Sequence, residues 1–231
     1  MFVRHAVAAA GLSLLLGSAN AATVTFDWAK PNPMDAPTNI PSANCNGNTD
    51  FCSTAGGALT YSSGGVTVNV TATSSNTSGG LPKVIQDVVG NYGGLGVLTP
   101  GESGNVDQVG GGGFLEKLIL TFTSSVHVTA FKFFDDHSSN PNFSGHQFSL
   151  LVDGVSKITA QQPSLSYAVD YTGTTFEIWN PITSQDKNWY LSGMVVETSN
   201  PPNEVPEPST YLMMLAGLGM LGFMMKRRAN G

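Results

Sequence analysis

GVTVNVT, at residues 65–71, alternates strictly between valine and polar or small residues. Successive side chains of a β-strand point to opposite faces of a sheet, so this alternation predicts a strand whose valines lie on the buried face. Residues 83–89 fit either one helical turn or another strand. β-Branched and aromatic residues predict further strands at residues 117–123, 126–134, 147–152, 174–179 and 189–197.

The segments between these strands are clusters of Gly, Ser, Asn and Pro, which we interpret as strand connectors. The dipeptide Asp153-Gly154 predicts a two-residue hairpin turn, because both residue types tolerate positive φ angles. No segment shows a sustained apolar period of 3.6 residues. These features predict an all-β fold, an antiparallel β-sandwich or jelly roll, in a single domain at residues 22–197.

The first 21 residues have the pattern of a secretory signal peptide. A short basic start precedes an apolar run at residues 6–16, and the small residues Ala-Asn-Ala follow at 19–21. This order predicts cleavage between Ala21 and Ala22, and therefore export.

Between its two ends the chain is acidic. Four of its ten Lys and Arg residues lie in the terminal segments, which leaves six against 16 Asp and Glu residues, a net charge of −10. Such a body repels a phosphate backbone, so the sequence argues against nucleic acid as a partner.

Cys45 and Cys52 are the two cysteines of the chain. In an exported protein such a pair predicts a disulfide, and closing this short loop stabilises the fold by about 2–3 kcal/mol in the chain-entropy model. A zinc site is the less favoured alternative, because no His or further Cys lies nearby in sequence.

The C-terminal tail, residues 205–231, follows a proline-rich linker at 198–204. An apolar run at 211–225 would form a helix of about 22 Å, shorter than the roughly 30 Å hydrocarbon core of a bilayer. Such a transmembrane helix spans only with local thinning, which predicts transient membrane contact. The basic residues 226–228 would keep its end on the cytoplasmic side.

This tail resembles the PEP-CTERM sorting signal. Pro206, Glu207 and Pro208 match the Pro-Glu-Pro motif, and the apolar run and the basic end follow in the same order. The resemblance implies processing by an exosortase, a membrane protease of bacteria that make exopolysaccharide, with release or attachment at the cell surface or in the extracellular matrix. Residues 94–122 more weakly resemble a pattern in the ectodomains of such proteins, which bears on the fold alone.

A search for catalytic motifs finds no nucleophile elbow, zinc-protease helix or phosphate-binding loop. Calcium is the metal that the acidic residues suit best, because it prefers hard oxygen ligands. Solvated loops whose Asp residues cap turns are the alternative reading of the same segments. The candidate calcium ligands are Asp107, Glu116, Asp135 and Asp136.

Aromatic residues offer a route to sugar binding, because sugar rings stack on exposed aromatic faces. Trp179 and Trp189 are the leading candidates, and each is alternatively a core residue. The sequence therefore predicts a non-catalytic module associated with polysaccharide. A secreted glycan hydrolase with carboxylates distant in sequence is one alternative, and a purely structural or adhesive surface protein is another.

Overall fold

The structure, a computed structural model, describes residues 21–29, 37–38, 51–101, 108–110, 113–135, 137, 140–184, 187–198, 213, 214, 216–218 and 220. In these residues the chain forms the strands β1 (Ala22–Asp27), β2 (Phe51–Cys52), β3 (Leu59–Ser63), β4 (Val66–Ser74), β5 (Lys83–Val89), β6 (Tyr92–Leu98), β7 (Glu116–Phe134), β8 (Phe148–Val152), β9 (Val155–Gln161), β10 (Tyr167–Trp179) and β11 (Tyr190–Thr198). Neighbouring strands pair antiparallel. The prediction of an all-β fold is confirmed.

Strand β7 organises the sheet. Its first half pairs with β4 on one side and β10 on the other, whereas its second half pairs with β10 and β11. From β11 the sheet continues through β6 and β5 to β2, and from β10 through β8 to β9. β1 adds to β11, and β3 adds to β4. One hydrogen-bonded network therefore connects the eleven strands.

The prediction of two strands at 117–123 and 126–134 was wrong, because β7 runs through both. Residues 123–125 are exposed but contain no Gly or Pro that would end a strand. The register shifts between Val128 and Ala130 against both neighbouring strands, as in a β-bulge. The bulge moves the buried side of β7 to the odd-numbered residues beyond it.

Strand β6 corrects the interpretation of Gly-rich segments as connectors. It contains Gly93, Gly94 and Gly96 and pairs with β5 along its whole length. A Cβ atom on Gly94 would lie 2.5 Å from the carbonyl oxygen of Leu191 in β11. Glycine is therefore required where these two strands approach each other closely. Residues 83–89 are strand β5, so the helical alternative for them was wrong.

The Asp153-Gly154 turn is confirmed. Val152 pairs with Val155, and the two turn residues have φ angles of 48° and 77°. These positive angles give the turn the twist of the flanking strands.

The core forms where the sheet folds over itself. The hydroxyl group of Tyr61 in β3 donates to Oε1 of Gln86 in β5 over 3.1 Å, although several strands separate the two along the network. The ring of Trp28, which follows β1, packs edge-on against Tyr61 at 5.7 Å. Two loops beyond this core, one after β7 and one between β9 and β10, form the candidate site.

Candidate functional site

An open groove of about 640 Å³ lies between residues 140–144 and residues 162–166. The first segment has the sequence NPNFS and the second has QPSLS. Each wall therefore places an amide side chain, a proline, a polar residue, an apolar residue and a serine in the same order. Neither wall contains a charged residue. Sequence analysis missed this groove, and the matching order of residue types is the signal that could have found it.

The first wall is fixed by hydrogen bonds from its backbone. The N–H group of Asn142 donates to Oδ2 of Asp135, at the end of β7. The N–H group of Ser144 donates to Oδ1 of Asn142 over 3.1 Å, and Nζ of Lys187 donates to the carbonyl of Ser144 over 2.9 Å. The Phe143 side chain is buried beneath these residues. These contacts hold the wall in place before any ligand binds.

His146 supports the same wall from the core side. Its Nδ1 donates to the carbonyl oxygen of Asn188 over 2.9 Å, and its ring packs edge-on against Phe143 at 6.1 Å. Burial lowers the pKa of His146 below its ordinary value, against the opposing effect of the Asn188 contact. The imidazole is therefore neutral at neutral pH and brings no charge to the groove.

The second wall joins β9 to β10. Just before it, the N–H group of Ala160 donates to Oγ of Ser149 over 3.0 Å, and just after it Tyr167 packs edge-on against Phe148 at 4.9 Å. Pro163 is buried, whereas the Leu165 side chain is 52% exposed. The wall thus presents amide and hydroxyl groups together with one solvent-facing apolar side chain.

A second polar cluster joins β5, β11 and residue 137. The Tyr190 hydroxyl group donates to Oδ2 of Asp87 over 2.8 Å, and Nε2 of His137 lies 2.9 Å from the same oxygen. The His137 and Tyr190 rings are 5.1 Å apart. Because Asp87 and Tyr190 are buried, this carboxylate ties the two strands and the segment after β7 together.

The structure describes two of the four predicted calcium ligands, Glu116 and Asp135. Glu116 is buried, and its two oxygens accept hydrogen bonds from the Thr99 hydroxyl group and the Gly110 N–H group, at 2.5 and 2.9 Å. Among the described residues no group of three or more His, Cys, Asp and Glu side chains could hold a metal ion. Asp107 and Asp136 lie outside the described residues.

The two predicted sugar-stacking residues differ in burial. The prediction for Trp189 was wrong, because its side chain is fully buried and its Nε1 donates to the carbonyl of Gln147 over 2.8 Å. Trp179 is partly exposed, and Nζ of Lys117 lies 5.2 Å from the centre of its ring. Trp179 does not line the groove, so stacking on it stays a separate prediction.

Several predictions fall on residues that the structure does not describe. Cys52 is buried in β2, but Cys45 lies outside the described residues, so their disulfide stays a prediction. The segment before Ala21 and the residues Pro206, Glu207 and Pro208 also lie outside them. In the described part of the chain, no helix has both the length and the apolar character that crossing a membrane requires.

Comparison with known families identifies the tail. A family model of the PEP-CTERM protein-sorting motif matches residues 204–228. This match confirms the resemblance that the Pro-Glu-Pro residues, the apolar run and the basic end indicate. No curated protein and no solved structure matches the chain.

Proposed function

Starting from the PEP-CTERM protein-sorting motif at residues 204–228, we propose that this exported chain is a non-catalytic surface protein that binds neutral polysaccharide. The motif implies export and processing by an exosortase at the membrane. The proposed location of the processed protein is the cell surface or the extracellular matrix. Its scaffold is the β domain, in a sandwich-like or jelly-roll-like arrangement, and its binding site is the groove between residues 140–144 and 162–166.

The observation that carries this proposal is the chemistry of the two walls. Amide side chains both donate and accept hydrogen bonds, as do serine hydroxyl groups, so Asn142, Gln162 and Ser166 suit the hydroxyl groups of a sugar. The exposed Leu165 offers an apolar surface to the C–H face of a sugar ring. A concave site with an apolar part and a few polar groups is typical of small-ligand binding.

Charge favours a neutral ligand over an anionic one. The body of the chain carries a net charge of −10, and neither wall supplies a Lys or Arg. The net charge of the body would repel an anionic polysaccharide, and Lys187, the cation next to the first wall, already donates to the carbonyl of Ser144. Neutral glycans avoid that cost.

The groove walls also favour binding without cleavage. Glycoside hydrolysis commonly needs two carboxyl groups on opposite sides of the scissile bond. Neither wall contains Asp or Glu, and the nearby His146 is neutral and hydrogen-bonded. A hydrolase would therefore need its carboxylates at another surface, and it remains the alternative function.

Affinity electrophoresis of the purified protein tests this proposal. Gels containing a neutral glucan or galactan should retard the wild-type protein, whereas gels containing alginate, a polyanion, should not. Incubation with the retarding glycan should release no reducing sugar.

Two results would contradict the proposal. Release of reducing ends would favour the hydrolase. Normal migration in every glycan gel would favour the purely structural or adhesive protein.

A further inference from the structure

Two buried oxygen atoms near the C-terminal end of β7 have no hydrogen-bond partner among the residues that the structure describes. They are Oε1 of Gln108 and Oδ1 of Asp135. Gln108 is fully buried, and its Nε2 donates to the main-chain oxygen of Asp135 over 2.6 Å. The amide group of Gln108 therefore lies directly against Asp135, and each residue contributes one unsatisfied acceptor. A buried acceptor without a partner is costly, and its presence points to a water or an ion.

A third group, the buried Nδ2 of the Asn188 side-chain amide, also has no hydrogen-bond partner in the described part of the chain. Asn188 precedes Trp189, which forms a bridge with Val109, next to Gln108. It also lies two residues before Tyr190, which pairs with Phe134, the neighbour of Asp135. The segments 108–110, 134–135 and 188–190 therefore lie side by side, and the Asn188 amide group, as a hydrogen-bond donor, is not itself a cation ligand.

The charge of Asp135 is not neutralised by a described side chain. Among the described residues, no Lys, Arg or His forms an ion pair with its carboxylate. Lys187 donates to the carbonyl of Ser144, and the nearby His146 is kept neutral by burial. The second carboxylate oxygen, Oδ2, accepts the N–H group of Asn142. The unpartnered Oδ1 is therefore a buried acceptor of a negatively charged group.

We propose that Oε1 of Gln108 and Oδ1 of Asp135 are ligands of a hard divalent cation of the calcium class, which fastens the segment at 108–110 to the end of β7. Carboxylate and amide oxygens are the ligands that Ca²⁺ takes, and it completes its shell with carbonyl oxygens and water. A cation also balances the charge of Asp135, which a water molecule does not. Glu116 accepts hydrogen bonds from Thr99 and Gly110 and is not counted among the ligands of this site.

Gln108 was not among the calcium ligands predicted from the sequence, and the structure brings it to Asp135. Asp107 and Asp136 lie outside the described residues and are not counted as ligands. Neither ligand lines the groove, although Oδ2 of Asp135 also holds the first groove wall through the N–H group of Asn142.

A calcium titration of the purified full-length protein tests the inference. After EDTA treatment, its melting temperature is measured from about 1 μM to about 10 mM free Ca²⁺ at constant ionic strength. A ligand that binds only the folded state must raise the melting temperature by about 3–5 °C per tenfold increase above its Kd. An unchanged melting temperature at the highest concentration would overturn the inference and favour water at these oxygens.

Three variants locate the effect. Gln108→Met removes one ligand oxygen and Asp135→Asn removes the negative charge, each at nearly unchanged side-chain size, so each should reduce or abolish the calcium-dependent rise. Asp170→Asn, at an exposed carboxylate on β10, is the matched control and should keep the full rise. If Asp135→Asn does not fold, Gln108→Met decides the location. A wild-type rise in either folded ligand variant would contradict the proposed site.

Discussion

Asp153 links the β8–β9 hairpin to β10 through its carboxylate group. Its Oδ1 accepts the N–H groups of Thr175 and Thr174, at 2.9 and 3.0 Å, and the Thr174 hydroxyl group at 2.9 Å. These hydrogen bonds, with the Thr175 N–H group contributing most, lower the pKa of Asp153 below its ordinary value. The residue that forms the turn therefore also anchors it.

Asp153→Asn should lower the free energy of unfolding near neutral pH by about 1 kcal/mol or less, because the site is exposed to solvent. The lowered folded-state pKa means that the stabilisation is present above the unfolded-state pKa and is lost as pH falls through the folded-state pKa. Urea unfolding near neutral pH and at about pH 3 measures the free energy of unfolding of both proteins. The difference between variant and wild type should be smaller at the lower pH. An equal gap at both pH values would contradict this role for the charge.

The residue type of Glu116 does not decide whether its carboxylate binds a metal ion or accepts hydrogen bonds within the fold. Its carboxylate was predicted to bind calcium, yet it accepts hydrogen bonds from Thr99 and Gly110. Sequence alone cannot separate these roles, because both need a carboxylate oxygen and only the position of the donors decides between them. Gln108 was overlooked for the related reason that its burial depends on distant segments.

At the scale of elements, β6 depends on glycine at the contact with β11. Gly94 has a φ angle of 146°, and a Cβ atom there would lie 2.5 and 2.7 Å from backbone atoms of Leu191 and Ser192. Gly154 also has a positive φ, of 77°, but a Cβ atom added to it would meet no other atom within 4 Å. Gly94 is thus needed above all because β11 leaves no space for a side chain, whereas Gly154 is needed only for its backbone conformation.

Gly94→Ala should destabilise the protein by about 3 kcal/mol or more, because the backbone of β11 must move to admit a methyl group. Gly154→Ala should cost only about 1–2 kcal/mol, the usual strain of a left-handed conformation. Thermal unfolding of both variants measures the difference. Equal losses would show that β6 and β11 separate easily.

Three neighbouring strands also meet at a surface histidine. Nε2 of His127 in β7 lies 2.6 Å from Oδ1 of Asp170 in β10, and its Nδ1 lies 3.1 Å from Oε2 of Glu197 in β11. The hydrogen bond to Asp170, followed by that to Glu197, raises the pKa of His127 above its ordinary value. Protonated His127 therefore bridges two carboxylates across the sheet.

His127→Gln should lower the free energy of unfolding in mild acid and change it little in mild base. Because the folded-state pKa is raised, the stabilisation is fully present below the unfolded-state pKa of about 6.5 and is lost as pH rises through the folded-state pKa. Solvent exposure limits the loss to at most about 1 kcal/mol at about pH 5.5. Urea unfolding of the variant and the wild type, from mild acid to mild base, measures this difference in the free energy of unfolding. A difference that grows as pH rises would contradict the bridging role of protonated His127.

For the whole molecule, the first and last described strands close the domain together. Ala22 pairs with Thr198, and the β1–β11 ladder continues to Asp27 and Gly193. The residue at the predicted signal cleavage site therefore begins the sheet, and the predicted linker follows β11.

The processed form of the protein should begin at Ala22 and lack the apolar run that starts at Tyr211. Signal cleavage removes the first segment, and processing at the PEP-CTERM motif removes the second. Intact-mass measurement of protein purified from its native host decides both ends. A mass that includes the tail would show that the motif serves only as an anchor.

The sequence revealed the strands whose apolar residues alternate, such as β4, and the Asp153-Gly154 turn, because both depend on neighbouring residues. It missed β6, whose glycines disfavour a strand until β11 packs against them. The groove was missed for a similar reason. Its walls are 22 positions apart in sequence, and only the pairing of β8, β9 and β10 brings them face to face.

The central claim, binding of neutral polysaccharide in the groove, is tested most directly by one paired affinity measurement. Gln162→Ala removes an amide from the groove wall, whereas Gln161→Ala removes the same group one position outside it. In gels containing the neutral glycan that retards the wild type, Gln162→Ala should bind about 2–10-fold more weakly at an unchanged melting temperature, the effect of one lost hydrogen bond. Gln161→Ala should bind like the wild type. Equal binding by both variants and the wild type would contradict the claim.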